Sequence, residues 1–236
     1  MKLGIMQPYF VPFLGYLSLI KQTDRFILFD SVQFMRHGWI ERNRILKPDA
    51  GWQYIQVPLK KHSRDTIIKN IEINREQDWR DKIFRQLTHY KKKSPFYNET
   101  INVLDRAFNI ETDSIVNLNE NILKVICEYI GIDADIRIFS EMNIDIKDAN
   151  APDEWALNIC NALGDADEYW NPEGGIEFFD KRKYVNAGID IKFLKMNLSR
   201  YPQRRHEFEA GLSIIDVLMF NDPEKINTML DDYELL

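Results

Sequence analysis

Apolar residues near the start of the chain are spaced first as in a strand and then as in a helix. The stretch LGIMQ, residues 3–7, predicts a short strand, and Phe13, Leu17 and Ile20 recur at helical spacing. The apolar run RFILFD, residues 25–30, predicts a second, fully buried strand. A strand, a helix and a strand in such close succession predict a βαβ unit, which builds parallel sheets.

The middle of the chain changes to a helical pattern. Residues 51–59 still alternate as in a strand. From about residue 76 to residue 130 the sequence predicts an inserted block of three helices, over residues 78–93, 94–108 and 113–131.

Strand and helix patterns alternate again after residue 130. Strands are predicted at 135–140, 167–171 and 189–196, and helices at 152–164, 175–188, 213–221 and 223–233. This order predicts an α/β fold with a parallel-rich, Rossmann-like sheet, helices on both faces, an inserted helical block and C-terminal helices. No stretch has the composition of a linker, so we expect a single domain over residues 1–236.

Charge and hydropathy narrow the functional classes. The chain of 236 residues has a formal net charge of −6 and a pI near 5.4, which makes a generic nucleic-acid-binding face improbable. No apolar run approaches the roughly 20 residues of a membrane span, and the N-terminus does not resemble a signal peptide. We therefore expect a cytoplasmic protein.

The cysteines and histidines give no sign of redox or metal chemistry. Cys127 and Cys160 each lie within an apolar helical pattern, which favours buried thiols over a disulfide or a catalytic cysteine. The four histidines lack the spacing of metal ligands, so we expect no metal site.

The first candidate site follows the first strand. In open α/β sheets ligands bind beyond the carboxyl ends of strands, where Gln7 lies. We expect the amides at the start of the next helix, near Gly15 and Tyr16, to point into this crevice and to suit an anion. The spacing resembles that of nucleotidylyltransferase-type folds, but both histidines of their His-x-Gly-His turn are missing. The alternative is that Pro12 and the aromatic residues only pack.

The second candidate site is the polar segment from residue 30 to residue 49. Its candidate ligand contacts are Gln33, His37, Trp39, Arg42, Asn43 and Arg44. Arginine suits phosphate or carboxylate, and a tryptophan can stack on a base or a sugar face. We rank Arg42 above Arg44 because it lies nearer Gly38 and Trp39. The alternative is a solvated loop of mixed charge.

The third candidate site is the turn YWNPEGG after a predicted strand. Asn171 and Glu173 offer polar contacts, and Gly174 and Gly175 would let the backbone close on a substrate. A turn without function would have the same composition. The strand-end rule predicts that one crevice collects Gln7, Gln33, Arg42, Asn43 and Asn171.

Asp216 lies in the apolar helical run SIIDVLMF. A helix that is apolar on all sides is normally buried, and a buried carboxylate needs a cation or backbone donors. We expect Asp216 to be semi-buried and functional, and its candidate cationic partners are Arg42, Arg204 and Arg205. The alternative is that Asp216 only complements the positive end of its helix.

Four stretches together resemble the WbqC-like family: MQPYFVPFLGYLSLI, FDSVQFMRHGWIERNRIL, YWNPEGGIEFFD and GLSIIDVLMFN. The resemblance implies a role in O-antigen or other surface-polysaccharide biosynthesis. Carried over by position, the motif residues are Gln7, Pro8, Gly15, Tyr16, Gln33, Gly38, Trp39, Arg42, Asn43, Asn171, Gly174, Gly175, Ser213 and Asp216. Glu41 departs from the asparagine expected at its position.

Two functional hypotheses follow from the pattern and the resemblance. The first is a transferase or ATP-dependent ligase that joins an acyl or aminoacyl group to the amine of a nucleotide-linked sugar. Its co-substrate, ATP or acyl-CoA, is left open, and His37 or Asp216 is the candidate general base. The second is a non-catalytic sugar-nucleotide-binding protein or assembly partner of polysaccharide enzymes. The sequence predicts neither the sugar nor the oligomeric state.

Overall fold

The computed structural model describes residues 1–236 and centres on a sheet of six strands. The strands in chain order are β1 (Lys2–Met6), β2 (Arg25–Leu28), β5 (Ile136–Ile138), β6 (Glu168–Pro172), β7 (Asp190–Met196) and β8 (Tyr233–Leu235). Their spatial order is β5-β2-β1-β6-β7-β8, with β8 antiparallel and all others parallel. The predicted α/β fold with a mostly parallel, Rossmann-like sheet is confirmed.

Eight α-helices accompany the sheet. They are α1 (Leu14–Gln22), α2 (Trp79–Leu87), α3 (Tyr97–Phe108), α4 (Ile115–Ile130), α5 (Glu154–Leu163), α6 (Lys181–Asn186), α7 (Ile214–Phe220) and α8 (Pro223–Leu230). Side chains of Asp78, Ser114 and Asp222 cap α2, α4 and α8 by accepting backbone N–H groups. The predicted helical insert, α2 to α4, and the C-terminal helices are confirmed.

The sheet buries apolar side chains on both faces because successive residues of a strand point to opposite sides. A large cluster of 49 buried residues includes residues of α1, α4 and α8, and a smaller cluster of 13 includes residues of α5 and α6. Cys127 lies in the first cluster and Cys160 in the second, and both are free thiols. Burial raises the pKa of each thiol to about 12, and the prediction of two buried thiols is confirmed.

Several predicted boundaries were wrong. Residues 42–46, interpreted as loop, form strand β3 (Arg42–Leu46), which pairs with β4 (Trp52–Gln56) in a separate antiparallel hairpin. Half-buried arginines, which lie over aromatic rings, alternate along this strand with the buried residues Asn43 and Ile45. The strand was missed because its sequence does not alternate between polar and apolar residues. The helix predicted over 175–188 begins only at Lys181, and the last helix ends at Leu230, before edge strand β8.

The loop between β1 and α1, residues 7–13, runs largely through the interior. Its irregular backbone leaves carbonyl groups unpaired within the loop, and buried carbonyls require partners. Side chains of four elements donate to them at 2.6–3.0 Å: Tyr16 of α1, Asn43 of β3, Asn119 of α4 and Ser213 at the start of α7. We call this set the loop clamp.

Val11 shows why the loop clamp is needed. Its φ of 37° is a strained conformation for a β-branched residue. Its carbonyl accepts from Asn43 Nδ2 at 3.0 Å and from Ser213 Oγ at 2.6 Å. The next residue, Pro12, accepts the backbone N–H of Ile214 at 2.7 Å. These bonds hold the strained turn against relaxation.

Asn119 is the member of the loop clamp that the sequence did not reveal. It is fully buried, and its Nδ2 donates to the carbonyls of Pro8 and Ile40, both at 2.9 Å. One amide of the helical insert therefore joins the β1–α1 loop to the segment before β3.

Replacing Asn119 by alanine should lower the free energy of unfolding by about 2 kcal/mol, because the carbonyls of Pro8 and Ile40 both lose their donor. The matched control is Asn117→Ala on the same helix, whose side chain is half-buried and makes no hydrogen bond. Its effect should stay within about 0.5 kcal/mol. Urea denaturation measures both, and equal losses would contradict the role given to Asn119.

Candidate functional site

A crevice opens where the strand order reverses. From β1 the chain continues to β2 on one side, while β6 lies against β1 on the other, so the carboxyl ends of β1 and β6 flank the topological switch point. Ligands of doubly wound sheets bind there. The crevice at this point has a volume of about 630 Å³, within the usual range for small-molecule sites.

The crevice is mostly apolar with a few polar groups. The apolar lining includes Tyr9, Phe29, Val32, Trp155 and Phe179, and the polar lining comprises Gln7, Gln33, Asp153 and Asn171. Two further apolar side chains of the lining, Met35 and Phe178, are 67% and 70% exposed. Large exposed apolar groups beside a cavity are typical of surfaces that a ligand covers.

Two amides reach the crevice from β1 and β6. The side chain of Gln7 makes no hydrogen bond within the protein and is half-buried, so its amide is free for a ligand. Asn171 is buried, and its Nδ2 donates to the hydroxyl of Tyr169 at 2.6 Å. A Cβ at Gly175 would lie 2.2 Å from Asn171 Oδ1, so this glycine permits the amide to occupy its position.

Asp153 is a lining carboxylate that sequence reasoning missed. It is 4% exposed, and Lys183 Nζ lies 3.1 Å from its Oδ1. Tyr184 donates its hydroxyl to the Asp153 carbonyl at 2.7 Å. In the sequence Asp153 reads as an ordinary residue at the start of a helix, and only the packing of α6 beside α5 shows that it is enclosed.

Three of the five residues predicted to share one crevice do so: Gln7, Gln33 and Asn171. The prediction was wrong for Arg42 and Asn43, because the hairpin that carries them is separate from the main sheet. Asn43 is 4% exposed and belongs to the loop clamp.

The two arginines of β3 occupy one face of the strand and have different surroundings. The Arg42 guanidinium lies 4.2 Å from the centre of the Tyr54 ring and donates to the carbonyls of His37 and Gly38. Arg44 lies over Trp39 and Trp52, and its Nε is buried without a partner. The Arg44 guanidinium also donates to the carbonyl of Gly211 at 3.1 Å. Both arginines are therefore held within the protein, and the ranking of Arg42 above Arg44 stays a prediction.

Arg44 and Trp39 line a smaller pocket of about 210 Å³. Its other lining residues are Tyr9, Phe13, Asn43, Leu198 and Gly211. Tyr9 lines both this pocket and the crevice, so the β1–α1 loop forms the wall between the two.

Other predicted site residues lie outside both cavities. His37 is exposed, with a φ of 65°, and Glu173 and Gly174 lie exposed on the turn after β6. Tyr16 is buried and donates its hydroxyl to the Gln7 carbonyl at 2.8 Å. The expectation that the first amides of α1 face the crevice was wrong, because the loop continues to Phe13 and only residues up to Tyr9 line the crevice.

Asp216 is fully buried in a network of neutral donors. Tyr90 and Tyr201 donate their hydroxyls to its two oxygens at 2.6 Å, and Gln203 Nε2 donates at 2.8 Å. The predicted arginine partner was wrong, since no arginine forms a salt bridge with Asp216 and Arg205 influences its pKa through charge alone. Burial raises the pKa of Asp216 while the three hydrogen bonds oppose that rise.

Glu41, which stands where the family pattern suggested asparagine, is also buried. It is 5% exposed, its Oε2 has no hydrogen-bond partner, and burial raises its pKa. Burial disfavours the charged carboxylate and outweighs the backbone hydrogen bonds and the Arg42 charge, which favour it.

The fold and the crevice define an α/β protein with a cavity at the topological switch point of its sheet. The chain belongs to the WbqC-like protein family, whose sequence pattern it matches over residues 7–228. It is similar to the uncharacterized protein Rv1507c of Mycobacterium tuberculosis, with 28% identity over 228 residues, 93% of each chain. No solved structure matches it significantly. None of its helices has the length and hydropathy needed to cross a membrane.

The raised pKa of Asp216 predicts a pH dependence of stability. The folded protein binds a proton at this carboxyl more tightly than the unfolded chain, so stability falls as pH rises above the unfolded value of about 3.9. Asp216→Asn removes this titration. The unfolding free energy of the variant minus that of the wild type should therefore increase from about pH 4 to about pH 7.

Urea denaturation across this range measures the difference. Asp105→Asn, at an exposed carboxyl without hydrogen bonds, controls for the loss of one negative charge. A constant difference between Asp216→Asn and the wild type would contradict the prediction.

Proposed function

We propose that the switch-point crevice binds a nucleotide-linked amino sugar and that the protein acts in surface-polysaccharide biosynthesis. The reaction is transfer or ligation of an acyl or aminoacyl group to the amine of the sugar. The observation that carries this proposal is the set of polar groups at the switch point: the free amide of Gln7, with Asn171 and Asp153, on otherwise apolar walls. Family membership supports the biological setting.

The lining suits the parts of such a ligand. Trp155 and Phe29, whose ring centres are 5.7 Å apart, offer an aromatic surface for a base or a sugar face. Amide groups can both donate to and accept from sugar hydroxyls. The Asp153 carboxylate accepts hydrogen bonds and favours a cationic or amine group, although it shares its charge with Lys183.

Catalysis at this site would rest on positioning and charge stabilisation. Neither cysteine supplies a nucleophile, because both are buried thiols. Of the two proposed general bases, Asp216 is enclosed by its three donors, whereas His37 is exposed two residues beyond Met35 of the crevice lining. In the enzymatic form of the proposal His37 is therefore the remaining candidate base, and it would have to approach the substrate from outside the crevice lining.

The second candidate function is a non-catalytic sugar-nucleotide-binding protein or assembly partner. The character of the crevice favours it, since the walls offer aromatic rings and amides for binding, and His37 does not line them. Turnover separates the two functions. Mass spectrometry after incubation with a nucleotide-linked amino sugar, and either ATP and an amino acid or acyl-CoA, detects the new amide. Formation of that amide supports the enzyme, and binding without it supports the second function.

The binding claim makes a prediction for Gln7. Gln7→Ala should weaken binding of a UDP- or dTDP-linked amino sugar by about five- to tenfold, the loss expected of one neutral hydrogen bond. The melting temperature of the ligand-free Gln7→Ala variant should stay close to that of the wild type, because the Gln7 side chain makes no hydrogen bond within the protein.

Gln56→Ala is the matched control, since Gln56 is exposed on β4 outside the crevice. Isothermal titration gives the affinities. A ligand-dependent rise in melting temperature checks that binding is to the folded protein. Equal affinity of the Gln7→Ala variant and the wild type would place the ligand elsewhere.

A further inference from the structure

A third cavity, distinct from the smaller pocket beside Arg44, adjoins the crevice on the side of β2. It has a volume of about 520 Å³ and lies between the segment after β2 and residues 62–64. Gln33 and Met35 line both the pocket and the crevice. The two cavities therefore adjoin at these residues.

The pocket is cationic in a protein of net charge −6. Arg36, His62 and Arg64 line it together with the hydroxyl of Ser63, and no carboxylate does. The guanidinium groups of Arg36 and Arg64 make neither a salt bridge nor a hydrogen bond within the protein. Other arginines of the chain, such as Arg25 and Arg75, are paired with carboxylates.

One ring nitrogen of His62 has no hydrogen-bond partner within the protein. Its Nδ1 lies 2.9 Å from the carbonyl of Lys60, which can only accept, so Nδ1 carries a proton. Its Nε2 is buried and has no hydrogen-bond partner. The edge of the ring packs on Phe34, which fixes its orientation.

One side-chain hydrogen bond and backbone pairing hold the two segments of the pocket together. Gln33 Nε2 donates to the Arg64 carbonyl at 2.8 Å, and the N–H of Phe34 donates to the Thr66 carbonyl at 2.9 Å. Gln33 and Ile67 form an antiparallel bridge. The cationic side chains therefore extend from a fixed frame, and arginine forks are well suited to phosphate oxygens.

We propose that this pocket is the phosphate subsite of the crevice and that Arg36 and Arg64 bind the diphosphate of a nucleotide-linked ligand. The assignment of the ligand rests on the proposed function, whereas the preference for a diphosphate anion rests on the pocket itself. The aromatic and amide walls of the crevice then take the remainder of the ligand, with Gln33 at the junction.

The test uses inorganic pyrophosphate and, separately, a UDP-linked amino sugar, titrated by calorimetry at low salt. Arg36→Ala and Arg64→Ala should each weaken binding of both ligands by about tenfold or more, the loss expected of a charge-assisted hydrogen bond. Lys61→Ala is the matched control. It removes one exposed positive charge from the same segment without touching the pocket, and should change affinity by about twofold or less.

The outcomes separate this inference from the proposed function. Pyrophosphate binding that depends on Arg36 and Arg64, without binding of any nucleotide sugar, supports the subsite and contradicts the proposed function. Nucleotide-sugar binding that is weakened by Gln7→Ala but unchanged in both arginine variants overturns the subsite and leaves the proposed function standing. Equal losses of affinity in Lys61→Ala and in the arginine variants also overturn the subsite, because the losses would then follow from the change in overall charge. Melting temperatures check that the variants fold.

Discussion

The structure depends on satisfying the buried carbonyl groups of the β1–α1 loop. This loop cannot pair its own carbonyls, so an unmet acceptor in the interior would cost about as much as a lost hydrogen bond. Side chains from α1, β3, α4 and the start of α7 supply the donors. The loop clamp thereby joins the sheet, the hairpin, the helical insert and the C-terminal helices at one place.

The same loop positions the candidate site. Gln7 at its start faces the crevice, and Tyr9 forms the wall between the crevice and the smaller pocket beside Arg44. The strained backbone of Val11 is held by three hydrogen bonds. Asn43 and Ser213 donate to its carbonyl, and the N–H of Ile214 donates to the carbonyl of Pro12. The interior-anchored loop fixes the backbone position of Gln7 at the edge of the crevice, through the hydrogen bond from Tyr16 to its carbonyl.

Polar residues of this chain divide into those that satisfy the interior and those that remain available. Asn43, Ser213 and Asp216 have all their principal contacts within the protein, whereas Gln7, Arg36 and Arg64 have free side-chain groups beside the cavities. Membership in a family motif does not distinguish the two groups. A buried polar residue can be required by the fold alone, because leaving a polar group unpaired in the interior costs free energy.

Local spacing in the sequence determined the parallel strands, the helical insert and the position of Gln7 and Asn171 at strand ends, since periodicity and the strand-end rule need only neighbouring residues. Tertiary structure alone decided the pairing of β3 with β4, the enclosure of Asp153 and the neutral partners of Asp216. Tyr90 is 126 residues from Asp216, and Asn119 is 111 residues from Pro8. Hydrogen-bond partners at such separations are set by how the elements pack, and no local pattern encodes them.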